Sequence, residues 1–202
     1  MLGLPKSITL SKQLSKNAIY RKFNMNPEAQ KKFDAEISRI TIVAEISPAR
    51  INIAAGKEIS SIFVLLVSLK QKKYNEATVS QLFKLIDQNI VLLLEYEDEQ
   101  RLAIYHTKLI QSDWKPAEEW TLALKGLNLD DVWDNIVTQI GSIDIEKGNS
   151  LEEQIAVDEQ RAKILKEIAR LEAQARKEKQ PKKKFELVQR INNLRKELEV
   201  GA

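Results

Sequence analysis

The sequence predicts an α+β fold: a mixed β-sheet flanked by helices, followed by a C-terminal antiparallel helical hairpin that resembles a coiled coil. Two apolar runs, 59–70 and 89–97, have the composition of strands that are buried on both faces. Amphipathic helical spacing occurs before, between and after such runs. Beyond residue 150 the apolar gaps become seven, four and three residues, which is typical of a coiled-coil seam.

The N-terminal segment, 1–25, has little periodicity and is predicted to be a basic arm. A helix is predicted next, because Asn26 is a favoured N-cap and Pro27 suits the first helical position. From Ile40 the apolar period changes to two, which predicts a strand that stops at Pro48.

An α/β body is predicted over 26–141. Its remaining strands are predicted at 50–54, 59–70, 89–97, 101–110 and 118–126. Asn75 and Asn128 are predicted to cap two amphipathic helices, and Gly141 is predicted as the C-terminal cap of the second. Trp120 and Trp133 lie on apolar faces, which predicts that both pack in the core.

A polar linker, 142–150, separates this body from the predicted hairpin at 151–202. Ser150 and Glu153 have the spacing of a capping box, which predicts a helix start. Pro181 interrupts the later helical pattern, and an interior proline costs about 3 kcal/mol. Two antiparallel helices joined near 180–183 are therefore favoured over one rod.

Composition excludes several classes of site. The chain has no cysteine and one histidine, which excludes zinc clusters, disulfides and thiol nucleophiles. Its six glycines are scattered, and no phosphate-binding loop motif occurs. We expect no cofactor and no bound metal. The longest apolar run, 62–67, is too short to span a bilayer, so a cytoplasmic protein without a membrane partner is expected.

Positive charge is concentrated at both ends of a chain whose net charge is only +3. Residues 1–32 carry seven Lys or Arg against one acid, and residues 161–202 carry thirteen against six. This segregation favours an anionic partner for the ends, or a contact of the ends with the acidic middle.

The basic stretch at the predicted hairpin turn is the candidate nucleic-acid site. Its residues are Lys177, Lys179, Lys182, Lys183, Lys184 and Arg190. Clustered lysines neutralise phosphates without choosing a sequence. The alternative is a solvated tip that contributes only solubility.

The apolar seam of the hairpin is the candidate partner-binding surface. Its residues are Ile164, Ile168, Leu171, Leu187, Ile191, Leu194 and Leu198. One narrow seam per helix can satisfy itself within the hairpin. It can also dock a third helix from a partner, or from a second copy in a homodimer.

A metal-dependent nuclease is an alternative, because the element order is also that of the PD-(D/E)xK nuclease core. Such a site needs paired carboxylates for Mg²⁺ and a lysine near the attacked phosphate. Lys70 ends a central strand, but Ser68 stands where the carboxylate is needed. Glu36 and Glu45 are the acids that could complete the site.

The loop segment QSDWKP holds two further candidates, Asp113 and Trp114. A tryptophan on a loop can anchor that loop against the core, or it can be a contact residue on which a nucleic-acid base stacks. Both interpretations of Trp114 stay open at this point.

Several segments have the order and composition of one known family: LGLPKS, LSKNAIYRKF, KKFDAEISRITIVAEISPARINIA, IFVLLVSLK, SDWKPAEEWTLALKGLNLDDVWDNIVTQI and KEKQPKKKFELVQRINNLRKEL. On these segments the chain resembles a bacterial family known as domain of unknown function 4391. The resemblance implies a gene placed beside DNA methyltransferases and helicases in restriction or phage-defence loci. A non-catalytic accessory protein that binds a helicase, a methyltransferase or DNA is therefore expected. The alternatives are the nuclease and a self-associating structural protein.

Overall fold

The computed structural model describes residues 2–146 and 148–200, with side chains up to residue 198. The chain forms two compact units, Met1–Ile143, called the body below, and Asp144–Ala202, called the hairpin unit. Residue 1 of the predicted arm, residue 147 of the predicted linker and residues 201–202 of the predicted hairpin lie outside the described residues. Across the described ranges, no helix has the length and apolar character that crossing a membrane requires.

The body contains the strands β1 (Thr9–Gln13), β2 (Ile37–Ile46), β3 (Ile62–Leu69), β4 (Asn89–Tyr96), β5 (Glu99–Tyr105), β6 (Leu109–Gln111) and β7 (Lys115–Pro116). Its helices are α1 (Lys16–Lys22), α2 (Pro27–Glu36), α3 (Glu76–Leu82) and α4 (Leu129–Gly141). Short 3₁₀ turns lie at Lys6–Ile8 and Ala117–Glu119. The predicted caps Asn26, Asn75 and Asn128 are confirmed, because each side chain accepts a backbone N–H of its own helix.

Strands β1 to β6 lie in sequence order across one mixed sheet, and β7 pairs with β5. The neighbours are antiparallel except for β3 and β4, which run parallel and are joined through α3. The predicted α+β class is confirmed, with a mixed sheet, flanking helices and a C-terminal helical pair. The parallel pair is central because its near-continuous aliphatic residues need cover on both faces.

Both faces of the central strands are buried. Leu92 and Leu94 belong to a cluster that also contains Phe33 and Leu82 from the helices of one face. Leu93 points to the opposite face, because side chains alternate along a strand, and it is also fully buried. On α4, Trp133 and its apolar neighbours are buried, which confirms the core position predicted for Trp133.

The predicted arm differs from the structure. Its residues 9–13 form β1, which pairs antiparallel with β2, and its Ile8 and Ile19 are fully buried. The arm prediction is wrong for this segment, because three buried apolar side chains, Leu2, Ile8 and Ile19, hold it against the body without any visible periodicity in the sequence. The N-terminal segment is therefore part of the body.

Two predicted strands are absent from the described residues. Residues 50–54 form turns and a single bridge from Ala54 to Asn128. Residues 118–126 begin as a 3₁₀ turn and continue irregularly, with Trp120 half-buried and its indole N–H donating to the Gln100 carbonyl at 2.8 Å. Alternation is a misleading signal in both segments, because irregular chain also buries alternate apolar residues, such as Ile51 and Ile53 in part and Leu122 in full.

The predicted cap at Gly141 is also wrong. Gly141 is the last residue of α4, and Ser142 takes the left-handed conformation at the C-cap, with φ of 49°. A Cβ on Gly141 would lie 2.9 Å from the Ile143 side chain. The glycine at this position therefore allows the Ile143 side chain to pack closely against the end of α4.

The hairpin unit consists of α5 (Leu151–Lys177) and α6 (Pro181–Val200). The capping box is confirmed: Ser150 Oγ accepts from the Glu153 N–H at 3.3 Å, and the Glu153 carboxylate accepts from the Ser150 N–H at 2.7 Å. Pro181 stands at the first position of α6, where its missing N–H costs no helical bond.

Candidate functional site

The tip of the hairpin, residues 177–184, contains a three-residue turn between α5 and α6. The Glu178 N–H donates to the Gln174 carbonyl at 3.0 Å and ends α5. The Glu178 carboxylate accepts from the Gln180 N–H at 2.8 Å and so closes the turn. The one acid of the tip therefore bonds the backbone of the turn.

The predicted nucleic-acid residues of the tip lie together on its surface. These are Lys177, Lys179, Lys182, Lys183 and Lys184, and all of them are exposed. Within the described residues, no carboxylate lies within ion-pairing distance of any of the five. Like charges concentrated in this way repel one another and attract a polyanion.

The shaft of the hairpin, which is the part of α5 and α6 outside the tip, contains several ion pairs. Arg170 pairs with Glu167 at 2.7 Å, and Arg195 pairs with Glu172 across the helices at 2.8 Å. The hydrogen bond from Arg170 holds the pKa of Glu167 below its usual range. Arg190, the sixth predicted nucleic-acid residue, lies 3.7 Å from Glu167 and so belongs with the paired arginines. Unpaired charge is therefore concentrated at the tip.

The predicted partner-binding seam faces inward. Ile168, Leu171 and Ile191 are buried, and Ile164, Leu187, Leu194 and Leu198 pack against them. The seam thus joins α5 to α6 within the hairpin, and docking of a third helix or of a second copy stays a prediction. Ile164, Leu187, Leu194 and Leu198 are only partly buried, and Ile164 and Leu198 line an open cleft of about 300 Å³, so part of the seam stays accessible.

Other apolar side chains of the hairpin are the exposed ones, and the sequence analysis missed them. Leu165 is 57% exposed, Phe185 62% and Val188 40%. A groove of about 340 Å³ runs along one flank, where Val188 lies beside Ala175 and Ile191. The sequence signal for these residues is their nearness to the seam: Leu165 and Val188 are each next to a seam residue, and Phe185 lies two positions before Leu187.

The nuclease candidates do not converge. The Lys70 N–H donates to the Glu36 carbonyl at 2.8 Å, so these two residues are neighbours at one end of β2 and β3. Glu45 lies opposite Phe63 near the other end and pairs with Arg50 at 2.9 Å. Eight residues of extended strand separate Ile37 from Glu45, which is roughly 25 Å. Glu45 therefore cannot share a metal ion with Glu36.

A carboxylate does lie beside Ser68, on the neighbouring strand. Glu95 is its register partner, and the Ser68 hydroxyl donates to Glu95 Oε2 at 3.2 Å. The buried Gln100 side chain donates to Glu95 Oε1 at 3.3 Å. Both oxygens of Glu95 thus accept from neutral donors. Among the residues that the structure describes, no group of three His, Cys, Asp or Glu is placed to hold a metal.

Trp114 is half-buried and packs as an anchor for its loop. Its ring meets Tyr74 edge-on at 6.5 Å, and Lys72 and Arg101 lie 5.5 and 5.3 Å from its centre. Arg101 also donates to the Ser112 carbonyl at 2.6 Å, which ties the loop to β5. Asp113, the other loop candidate, is exposed beside it. The geometry favours the anchoring interpretation of Trp114.

Comparison with known proteins gives one family. No curated protein and no solved structure matches the chain. A family model described as Domain of unknown function (DUF4391) matches residues 2–198, which include both the body and the hairpin. The chain therefore belongs to the DUF4391 family.

Proposed function

We propose that this chain is a non-catalytic accessory protein whose hairpin tip contacts the phosphate backbone of DNA. The observation that carries the proposal is the cluster of five exposed tip lysines without a carboxylate partner in the described residues. Lysine is a flexible point charge, which suits contact with a phosphate backbone more than recognition of a base.

The pairing in the shaft supports this assignment. Each arginine of the hairpin unit has a carboxylate within 4 Å, for example Arg161 with Glu146 at 2.7 Å and Arg176 with Glu172 at 3.8 Å. Neutralised charge along the shaft leaves the tip as its strongest positive region. A polyanion that neutralises the tip releases counterions, with a salt slope of about 0.9 per phosphate contacted.

The larger partner in the proposal is a bacterial helicase or DNA methyltransferase of a restriction or phage-defence system, in the cytoplasm. The groove at Val188 supports a docking role for the hairpin, because a partner helix could cover Val188 and the exposed Phe185. The internal seam leaves the hairpin intact when the partner is absent. A rigid hairpin with a charged end suits an adaptor between an enzyme and DNA.

Duplex binding across a salt series tests the DNA contact. We expect the triple variant Lys182→Glu, Lys183→Glu, Lys184→Glu to lose most of the affinity and to lower the salt slope by about three. The matched control changes Lys163, Lys166 and Lys196, which are exposed but dispersed along the shaft. Both triples change the net charge equally, so equal losses in the two would refute a local role for the tip.

Coexpression with the helicase or methyltransferase encoded beside the gene tests the docking role. We expect Val188→Asp to abolish copurification, because a buried carboxylate without a partner opposes association. Leu165→Asp, on the other helix, is the control. A dimer of this chain alone by light scattering, lost in Val188→Asp, would assign the groove to a second copy instead.

A further inference from the structure

A cleft in the body is lined by residues that none of the sites described so far uses. It has a volume of about 630 Å³ and lies where the end of α3, the start of β4 and the end of β5 meet. Its main lining residues are Gln81, Phe83, Lys84, Gln88, Asn89 and Tyr105. The volume falls in the range of small-molecule and cofactor sites, about 300–1,000 Å³.

Two aromatic rings form the apolar part of this cleft. Phe83 and Tyr105 have ring centres 6.0 Å apart and are tilted by 44°. Phe83 is half-buried and packs against the core of the body, whereas Tyr105 is 51% exposed. A partly exposed ring supported by a half-buried ring that packs on the core is a platform on which a planar group can stack.

The polar part of the cleft contains an oriented amide and an unpaired cation. The hydroxyls of Ser60 and Ser61 both donate to Gln88 Oε1 at 3.0 Å, which fixes this carboxamide. Its amide nitrogen then points away from the serines as a hydrogen-bond donor. Lys84 is exposed, and no carboxylate pairs with it in the described part of the chain.

We propose that this cleft binds one unstacked base of a single-stranded nucleic acid. The base stacks on Tyr105 and Phe83, Gln88 donates a hydrogen bond to an acceptor on the base edge, and Lys84 lies against a neighbouring phosphate. A planar polar ring attached to an anion uses all three features, whereas an apolar side chain would leave Gln88 and Lys84 unused. The inference deepens the proposed function, because it adds base contact to the backbone contact of the tip.

Two ligands of equal length and charge test the proposal: an oligothymidylate and the same phosphodiester chain without bases. We expect the wild-type protein to bind the oligothymidylate about tenfold more tightly, because stacking contributes about that much per base. Tyr105→Ala should remove this preference and leave the abasic affinity unchanged. Tyr105→Phe should retain it, and Leu127→Ala, at an 88% exposed apolar residue, is the control.

The tip variant of Lys182, Lys183 and Lys184 separates the two proposals. It should weaken both ligands alike and leave their ratio intact, so a failure of the tip does not remove the base preference. Equal binding of both ligands by the wild-type protein would overturn the base site. Thymidine 5′-monophosphate that binds as tightly as the oligothymidylate would also overturn it, since the cleft would then hold a free nucleotide.

Discussion

The body and the hairpin unit are stabilised in different ways. The body buries both faces of a mixed sheet, so its central strands consist almost wholly of aliphatic residues such as Leu92, Leu93 and Leu94. The hairpin unit buries a narrow seam between its helices and a few residues at the start of α5, and most of its remaining surface is charged or polar. The difference teaches that the body tolerates few changes at its centre, whereas the hairpin has most of its surface available for binding.

A side-chain truncation at the centre of the body should have the largest effect on stability. Leu93 is fully buried on β4, and Leu93→Ala should lower the free energy of unfolding by about 2–5 kcal/mol. Urea unfolding followed by tryptophan fluorescence measures this, since Trp114, Trp120 and Trp133 all lie in the body. Leu127→Ala should change the value by less than about 0.5 kcal/mol. Similar losses in both variants would contradict the two-sided core.

Truncation of the hairpin seam should have a smaller effect. Leu171 is 2% exposed, yet two helices can relax around a cavity more easily than a sheet covered on both faces. We expect Leu171→Ala to cost about 2 kcal/mol, the lower end of the range for leucine. Far-UV circular dichroism should record loss of helix at a lower urea concentration than in the wild-type protein, and Leu165→Ala should change that concentration little. The comparison would be contradicted if the urea midpoint measured by tryptophan fluorescence shifted as far in Leu171→Ala as it does in Leu93→Ala.

Removal of the N-cap of α5 should lower the stability by a still smaller amount. Ser150→Ala deletes the acceptor of the Glu153 N–H and should destabilise the helix by about 1 kcal/mol. Ser150→Asp keeps an acceptor at the cap and should retain most of the stability. Thermal unfolding followed by circular dichroism distinguishes the two variants, and equal midpoints would show that the box contributes nothing.

The smallest predicted effect is a pH dependence in the body. Hydrogen bonds from Lys16 at 2.5 Å and from Tyr20 at 2.6 Å lower the pKa of Asp34. The positive charges of Lys16 and Lys70 lower this pKa further, and partial burial opposes them without reversing the direction. Because the pKa is lower in the folded chain, the stabilisation is present above the ordinary aspartate pKa. It is lost as the pH falls through the folded value.

Asp34→Asn should remove that pH-dependent part. The unfolding midpoints of the two proteins should differ at neutral pH and converge in acid. On the alkaline side, burial first, and then the hydrogen bond and charge of Asp34, raise the pKa of Tyr20 to about 12. A difference that stays constant down to acid pH would show that the cluster adds no stability.

Local signals in the sequence predicted local structure well. Asn26, Asn128 and Ser150 all cap helices as expected, because a cap depends on residues two or three positions apart. Pro181 separates two helices for a similar reason, since the missing N–H acts within one turn. The strands that failed, 50–54 and 118–126, failed because alternation over five to nine residues also occurs in loops that pack on a core.

The candidate site was predicted only in part. The tip lysines were found from charge alone, and their clustering follows from their nearness in sequence. Arg190 was grouped with them, but a carboxylate on the other helix pairs with it. The exposed Phe185 and Val188 were missed, because a seam pattern identifies what is buried and does not rank what remains outside.

By itself, the sequence determined the fold class, the starts of α2 to α5, the turn at Pro181 and the basic tip, most of which depend on residues close along the chain. Only the tertiary structure decided that Glu45 lies far from Lys70, that Glu95 lies beside Ser68, and that the Tyr105 cleft exists. Those facts depend on strand order and register, which bring together residues 27 positions apart, as for Ser68 and Glu95, and separate closer ones. A period along one strand carries no information about which strand lies beside it.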